Sequence, residues 1–238
     1  MRLRAEAVRC PVRGNAAPAD LRQDMCIETV DLPSAQTPRG ALLNSLKWRK
    51  TNLKVRFMNG DPSLQSAVKE HANEWSRHCG IKFDFGDHHP ADIRISFTCG
   101  GHWSRVGIAT SDLADNQPTM NLELRRSSGG TDIRRVAIHE FGHALGLIHE
   151  HQSPEARIQW DEPKVLDFYA RTQGWDERKT RRNVIARQSG NFTTTDFDPE
   201  SIMLYPIPNA LTTDNFESGW KTRLSAKDIE LIGRAYPR

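Results

Sequence analysis

From His139 to His149 the chain reads His139-Glu140-Phe141-Gly142-His143-Ala144-Leu145-Gly146-Leu147-Ile148-His149. The pattern H-E-x-x-H-x-x-G-x-x-H constrains the backbone more than any other stretch. On an α-helix, residues four apart share a face, about 40° apart around the axis. His139 and His143 can therefore point at one metal ion. Glu140 sits beside that face, where its carboxylate reaches a metal-bound water rather than the metal. His149 breaks the pattern. On a continuous helix it would lie roughly 9 Å beyond His143 and on another side, out of reach of an ion whose Zn–N bonds are about 2.0–2.1 Å. The helix must stop and the chain must turn back. Gly146 stands where a left-handed C-terminal cap is needed, because glycine takes positive φ without steric cost. The plainer alternative is an amphipathic core helix (Val136, Ile138, Phe141, Leu145) with incidental histidines, which does not account for the full extent of the motif.

The 238 residues suffice for one sizeable domain with or without an extension. A net charge of +3 is too small to imply a nucleic-acid partner, and none is expected. No stretch approaches 18 apolar residues, so neither a membrane span nor a membrane partner is expected. Arg2 and Arg4 are followed by no apolar run, so Met1 to Asp20 does not read as a signal peptide. Cys10, Cys26, Cys79 and Cys99 permit two disulfides in three pairings, or four buried thiols. Cys79 and Cys99 flank two predicted strands and could bridge. No C-x-x-C occurs, which argues against a cysteine-held structural zinc.

Residues 1–45 carry Pro11, Gly14, Pro18, Pro33, Pro38 and Gly40 with weak periodicity, and read as an extension or pro-segment. Residues 46–238 form the metal-binding domain. Leu53 to Phe57, Ile81 to Phe85, Ile93 to Phe97 and Thr119 to Leu124 read as strands. Ser63 to His78 reads as an amphipathic helix opened by Asp61-Pro62. The metal helix is expected to start at Thr131 or Asp132, either of which could cap it. Helices are also expected at Pro163 to Arg171 and Asp176 to Gln188, with a last one opened by Ser225-Ala226-Lys227-Asp228. The order predicts an α+β domain with the zinc in a cleft between two halves.

The motif resembles that of the metzincin clan of zinc endopeptidases. Ser201-Ile202-Met203-Leu204-Tyr205 supports the likeness. It resembles the Met-turn of that clan, with Met203 as a soft apolar floor under the histidines. Within the clan the chain is most similar to astacin-like peptidases of microbial type. Their third histidine is followed by Glu, as Glu150 follows His149, and their turn methionine by Tyr two residues on, as Tyr205 follows Met203. There are departures. Gln152-Ser153-Pro154 stands where astacins carry an Arg and an Asp-rich stretch, and Leu204 where they have His.

The resemblance implies a twisted, mostly parallel sheet with an antiparallel edge strand and two long helices in the N-terminal half. It implies an irregular C-terminal half with the Met-turn and a terminal helix. It also implies one catalytic Zn²⁺ on His139, His143 and His149, Glu140 as general base, and a Tyr205 that ligates zinc and swings away to hold the transition state. Thr119 to Leu124 is then the sheet edge on which an extended peptide pairs. The expected activity is endopeptidase cleavage of proteins or peptides by an extracellular monomer. The alternative is a zinc-stabilised, non-catalytic module binding anionic polymers or proteins, and the retained Glu140 argues against it.

Weaker signals carry plainer readings. Glu150 is either a solvated acid or a buried charge partner. His151 is expected behind the ligands or in solvent, and His88, His89 and His102 in loops. His71 and His78 are expected on the first helix in structural or exposed positions. Arg9-Cys10-Pro11 is similar to the pro-segment cysteine that blocks zinc in matrix metalloproteases, the plainer reading being an ordinary thiol. Arg178, Lys179, Arg181, Arg182 and Arg187 are expected to be a solvated helix face, the alternative being a patch for anionic polymers.

Overall fold

The computed structural model describes residues 8–10, 42–109, 113–188 and 191–238. Cys26 and most of the N-terminal extension lie outside the described residues. The packed body includes Leu42, which is fully buried in the main core. It lies in a short strand, β1 (Leu42–Leu43), that pairs antiparallel with Phe192–Thr193 far along the chain.

Alternation makes β2 (Asn52–Phe57) a strand, because Leu53 and Val55 turn into the core while Asn52 and Lys54 face solvent. It is flanked in parallel by β3 (Lys82–Phe85) and β4 (Ile93–Ser96). The sheet continues through β5 (Trp103–Ser104) and β6 (Met120–Asn121) in the order β3-β2-β4-β6-β5. β6 runs parallel to β4, and β5 runs antiparallel at the edge. The expected mostly parallel sheet with one antiparallel edge is present. The edge, however, is Trp103–Ser104, not the Thr119 to Leu124 segment, which lies one strand in and pairs on both sides.

Two 15-residue helices pack against each other under this sheet. α1 (Pro62–Ser76) opens with the Asp61 carboxylate accepting from Ser63 N–H at 2.9 Å and with Pro62 in its first turn. It buries Leu64, Val68, Ala72 and Trp75, four positions on one face. α2 (Gly130–Ala144) starts one residue before Thr131, after Gly129 as cap, without the expected side-chain cap bond. Trp75 Nε1–H donates to Ile138 O at 2.8 Å and ties the helices together.

After Ala144 the chain is less regular. α3 (Glu162–Gln173) ends at Gly174 in the left-handed region, φ 64°. α4 (Glu177–Thr180) passes into one wide turn, where Ala186 N–H reaches back five residues to Arg181 O at 2.8 Å. The helix expected to run to Gln188 therefore ends at Ile185, because Ala186 is extended. β7 (Phe192–Thr193) is the partner of β1. α5 (Ala226–Ala235) has the expected capping box between Ser225 and Asp228.

The cysteines pair differently from the expectation. Cys10 is bonded to Cys99, and Cys79 is a buried free thiol whose Sγ–H faces Trp75 O. Cys79 precedes β3 and Cys99 follows β4. These strands run parallel to their common neighbour, so the two cysteines leave opposite ends of the sheet. Strand length alone separates those ends by ~15 Å, well beyond disulfide reach. The suggested block of zinc by Cys10 is likewise replaced, because its sulfur is held by Cys99 while Arg9 N–H donates to Asn116 O at 3.0 Å.

Candidate active site

The stop in α2 is built as the glycine required. Gly146 has φ +97°. Leu147 N–H returns to Gly142 O at 3.1 Å, and Gly146 N–H bonds His143 O at 2.8 Å, the two bonds of a Schellman cap. The remaining carbonyls at the helix end are also met. Trp48 Nε1–H donates to Ala144 O at 2.7 Å, and the Tyr236 hydroxyl donates to Leu145 O at 2.7 Å. A helix end enclosed in the core needs such partners, and here two distant segments supply them.

This turn brings His149 back. Its Nε2 lies 3.3 Å from Nε2 of His139 and 3.2 Å from Nε2 of His143. Four-coordinate tetrahedral zinc with Zn–N bonds of about 2.0–2.1 Å needs nitrogens about 3.3 Å apart, so the histidine nitrogens match one ion. The outer nitrogens fix the tautomers. His139 Nδ1 is 2.7 Å from Ile202 O, and His143 Nδ1 is 2.8 Å from Leu147 O. A carbonyl can only accept, so each Nδ1 carries the proton and each Nε2 presents its lone pair inward. Burial first, then the neighbouring His139 and His151, hold the His149 imidazole well below its ordinary pKa, which favours the neutral ligand form. Among the described residues, His139, His143 and His149 are the group of three able to hold a metal.

Glu140 is buried and lines a cleft open to solvent beside His139. Tyr205 lines the same cleft. Its ring lies 4.1 Å from the His149 ring and 4.6 Å from the His151 ring. Met203 approaches α2 so closely that a Cβ on Gly142 would stand 2.4 Å from its Sδ. Gly142, an unspecified position in the motif, thus admits the methionine beneath the ligands.

The Met-turn hangs on a buried acidic network. Asp228 accepts from Ser201 Oγ–H at 2.7 Å and from the N–H groups of Ile202 and Ser225, both at 2.9 Å. Burial raises its carboxyl pKa, against these bonds, which lower it. Glu150 is a buried partner, not a solvated acid. Its carboxylate accepts from Asp198 N–H at 2.9 Å, and its own N–H donates to Met203 O at 3.0 Å. Burial pushes its pKa up to about 8.

Other expectations resolve as follows. His151 is buried behind His149, with Nε2 3.1 Å from Asn183 O. His89 is 2.7 Å from an Asp115 carboxylate oxygen and His88 is 3.3 Å from one of Asp84. His78 lies past the end of α1, and burial lowers the pKa of His71. In the basic run, Arg181 is ion-paired to both Glu162 and Glu177. His102 is not a plain loop residue. It is buried on the cleft wall, and its Nδ1 accepts from Glu123 N–H at 3.0 Å. Sequence reasoning also missed Arg135, Trp220 and Lys221, which line the cleft. Arg135 was findable by helical spacing, four residues before His139. Trp220 sits in a stretch without periodicity and gave no signal.

The family model for the astacin peptidases matches residues 42–236. The zinc metalloproteinase nas-20 of Caenorhabditis elegans is 25% identical over 198 residues, covering 83% of this chain and 47% of that protein. The chain thus spans about half the length of this curated relative. A solved structure of myroilysin superposes with a TM-score of 0.80 at 38% identity, covering 84% of this chain and 99% of that one. High choriolytic enzyme 1, a hatching-enzyme zinc protease from the medaka fish Oryzias latipes, shares the fold, with a TM-score of 0.57 at 17% identity. It covers 80% of this chain and 94% of that one.

Proposed function

Because the chain belongs to the astacin family of zinc metallopeptidases, we propose that it is an endopeptidase hydrolysing peptide bonds in proteins or peptides, with Glu140 as its general base. The observation that carries this reading is the convergence of three Nε2 atoms at tetrahedral spacing beside a buried carboxylate in an open cleft. His139, His143 and His149 would hold the ion. When bound, zinc supplies a Lewis acid that lowers the pKa of a water toward about 7 and polarises the scissile carbonyl.

The chain's own groups do the rest. Glu140, buried at the cleft wall, takes the proton of the attacking water and returns it to the leaving amine. The Tyr205 hydroxyl stabilises the oxyanion, its ring held against His149. The strand β5, at the edge of the sheet beside β6, is where an extended substrate backbone would pair. Residues 1–45, an extension or pro-segment by sequence, act as a pro-segment at least up to the start of the packed body, and the protein works outside the cell as a monomer. Among the described residues, no helix is long and apolar enough to cross a membrane.

Replacing Glu140 by Gln tests the assignment. Zinc content, measured by plasma spectrometry, should stay at one per chain, while casein cleavage falls by about 10²–10⁴. A variant that still cuts casein at the wild-type rate removes Glu140 from the role.

A further inference from the structure

Alternation sends Leu53 and Val55 of β2, and Ile93 and Ile95 of β4, into the core with α1 and α2. Arg56 and Arg94 therefore emerge on the other face of the sheet. The two are register partners, Arg56 beside Arg94, on strands about 4.8 Å apart. Both are buried, at 6% and 4% exposure. Two guanidinium groups side by side, always charged and shut from water, oppose folding unless something answers them.

The protein answers them only in part. Arg56 donates from Nη1 to Asp115 Oδ2 at 3.0 Å and from Nη2 to Asp115 O at 2.6 Å. Arg94 donates from Nε to Gln117 O and from Nη1 to Ala91 O, both at 2.7 Å. Arg56 Nε and Arg94 Nη2 are buried without a hydrogen-bond partner. Protein interiors rarely leave such donors unmet. Charge is short as well. Asp115 is the one carboxylate bonded to either arginine among the described residues, and it is shared with His89, 2.7 Å away. Its side chain is 34% exposed, so solvent screens it. The nearby Asp92 is taken by Lys50 Nζ at 2.7 Å and Lys54 N–H at 2.8 Å. Burial lowers the pKa of Arg94, and the like charge of Arg56 adds to this, against Asp115 and Asp92, which raise it. A water molecule could accept the two unmet N–H bonds but would leave a surplus positive charge in place. An anion meets both needs, through charge-assisted hydrogen bonds.

We propose that Arg56 and Arg94 form a structural site for a small monovalent inorganic anion of the chloride class, on the sheet face opposite α1 and α2. Both unmet nitrogens are closed off from solvent, which favours a compact ion over a carboxylate or a phosphate. Residues 113–117 supply the Asp115 and Gln117 contacts, so the ion would tie that segment to β2 and β4. Neither arginine lines the histidine cleft, and the site stands apart from the peptidase reading.

The test follows thermal unfolding of the zinc-loaded full chain as sodium chloride replaces sodium gluconate, from about 1 to about 100 mM chloride. Total salt is fixed, which holds screening constant. The midpoint should rise along a saturating curve, by about 5 °C for a dissociation constant near 1 mM. Arg94→Gln removes one of the two charges and should flatten that curve. A merely structural arginine would lower the midpoint equally at every chloride concentration. In a second measurement, crystals of the wild-type protein grown in sodium bromide should show an anomalous scattering peak in contact with Arg56 Nε and Arg94 Nη2. This readout needs no variant and decides the matter if Arg94→Gln fails to fold. A midpoint indifferent to chloride overturns the proposal, as does a chloride response that survives Arg94→Gln. Bromide found only elsewhere, at the histidines or on the surface, overturns it too.

Discussion

Between Asn52 and Ala144 the chain devotes a five-stranded sheet and two 15-residue helices to one large apolar core. Between Leu147 and Pro208 it makes two short helices and a wide turn over a much smaller cluster around Val165, Tyr169, Trp175 and Tyr205. Both halves deliver groups to the same site. The first delivers His139, Glu140 and His143 from a helix buried from Arg135 to Ala144. The second delivers His149 and Tyr205 from turns held by Schellman bonds and by the carboxylates of Glu150 and Asp228. Apolar burial fixes a helix without specifying any one partner. A polar network fixes a turn only if each bond is made. The two halves should therefore respond to mutation in different ways.

The largest effect should come from the first half. Phe141 is fully buried, with its ring edge-on to Phe83 at 4.9 Å and near Phe85 at 6.2 Å. Phe141→Ala should cost about 3–5 kcal/mol, read as a lowered urea midpoint. The added hydrogen exchange should spread over β2, β4, α1 and α2 together, because they share one core. A loss below about 1 kcal/mol, or exchange confined to α2, would break the contrast.

The same contrast explains what could be read from the sequence. β2 and α1 repeat their apolar residues at periods of two and near four, so burial wrote them plainly, down to the Asp61 cap. The histidine triad was legible because metal geometry demands both the i, i+4 spacing and a glycine stop. The disulfide was not legible, because pairing depends on which end of a parallel sheet each cysteine leaves. The edge strand was missed because β5 has two residues, too few to show a period. Glu150 and Asp228 are charged residues whose burial depends on donors 48 and 26–27 residues away in the chain, and no local pattern announces that.

In the second half, Asp228→Asn should have the next largest effect. Its two oxygens accept three hydrogen bonds, and an amide nitrogen in place of either oxygen faces a donor. A cost of about 1–3 kcal/mol is expected from the unmet donors. Limited proteolysis should show cuts near residues 198–205 before any within α1 or α2. Global loosening instead would mean that the halves are one cooperative unit.

A smaller effect falls on the join between them. An alanine Cβ at Gly146 would meet Leu42 Cγ at 3.6 Å and Leu46 O at 3.7 Å, ordinary contacts, so space is not the obstacle. The cost is the left-handed backbone, about 1–2 kcal/mol for a residue with Cβ. If the strain is relieved by shifting His149, zinc affinity should fall by about tenfold in competition with a chromophoric chelator. Gly146→Asn should recover part of it, since Asn tolerates that conformation better. Unchanged affinity in the alanine variant would show that the turn absorbs the strain without moving the ligand.

The smallest structural effect, and the sharpest test of what the second half adds, is Tyr205→Phe. The ring packs on His149 and His151, its centroid 4.1 and 4.6 Å from theirs, and phenylalanine keeps that packing. Stability should change by less than about 0.5 kcal/mol, and zinc affinity should stay within about twofold. If the hydroxyl holds the oxyanion, kcat falls by about 10²–10³ with KM little changed, the mark of an interaction made only in the transition state. Tyr205→Leu separates the two roles, because it removes the ring as well and should weaken zinc binding through His149. Full kcat in the phenylalanine variant would mean that, beyond the ligand His149, the Met-turn half contributes shape alone and that proton transfer rests on the helix half, with Glu140.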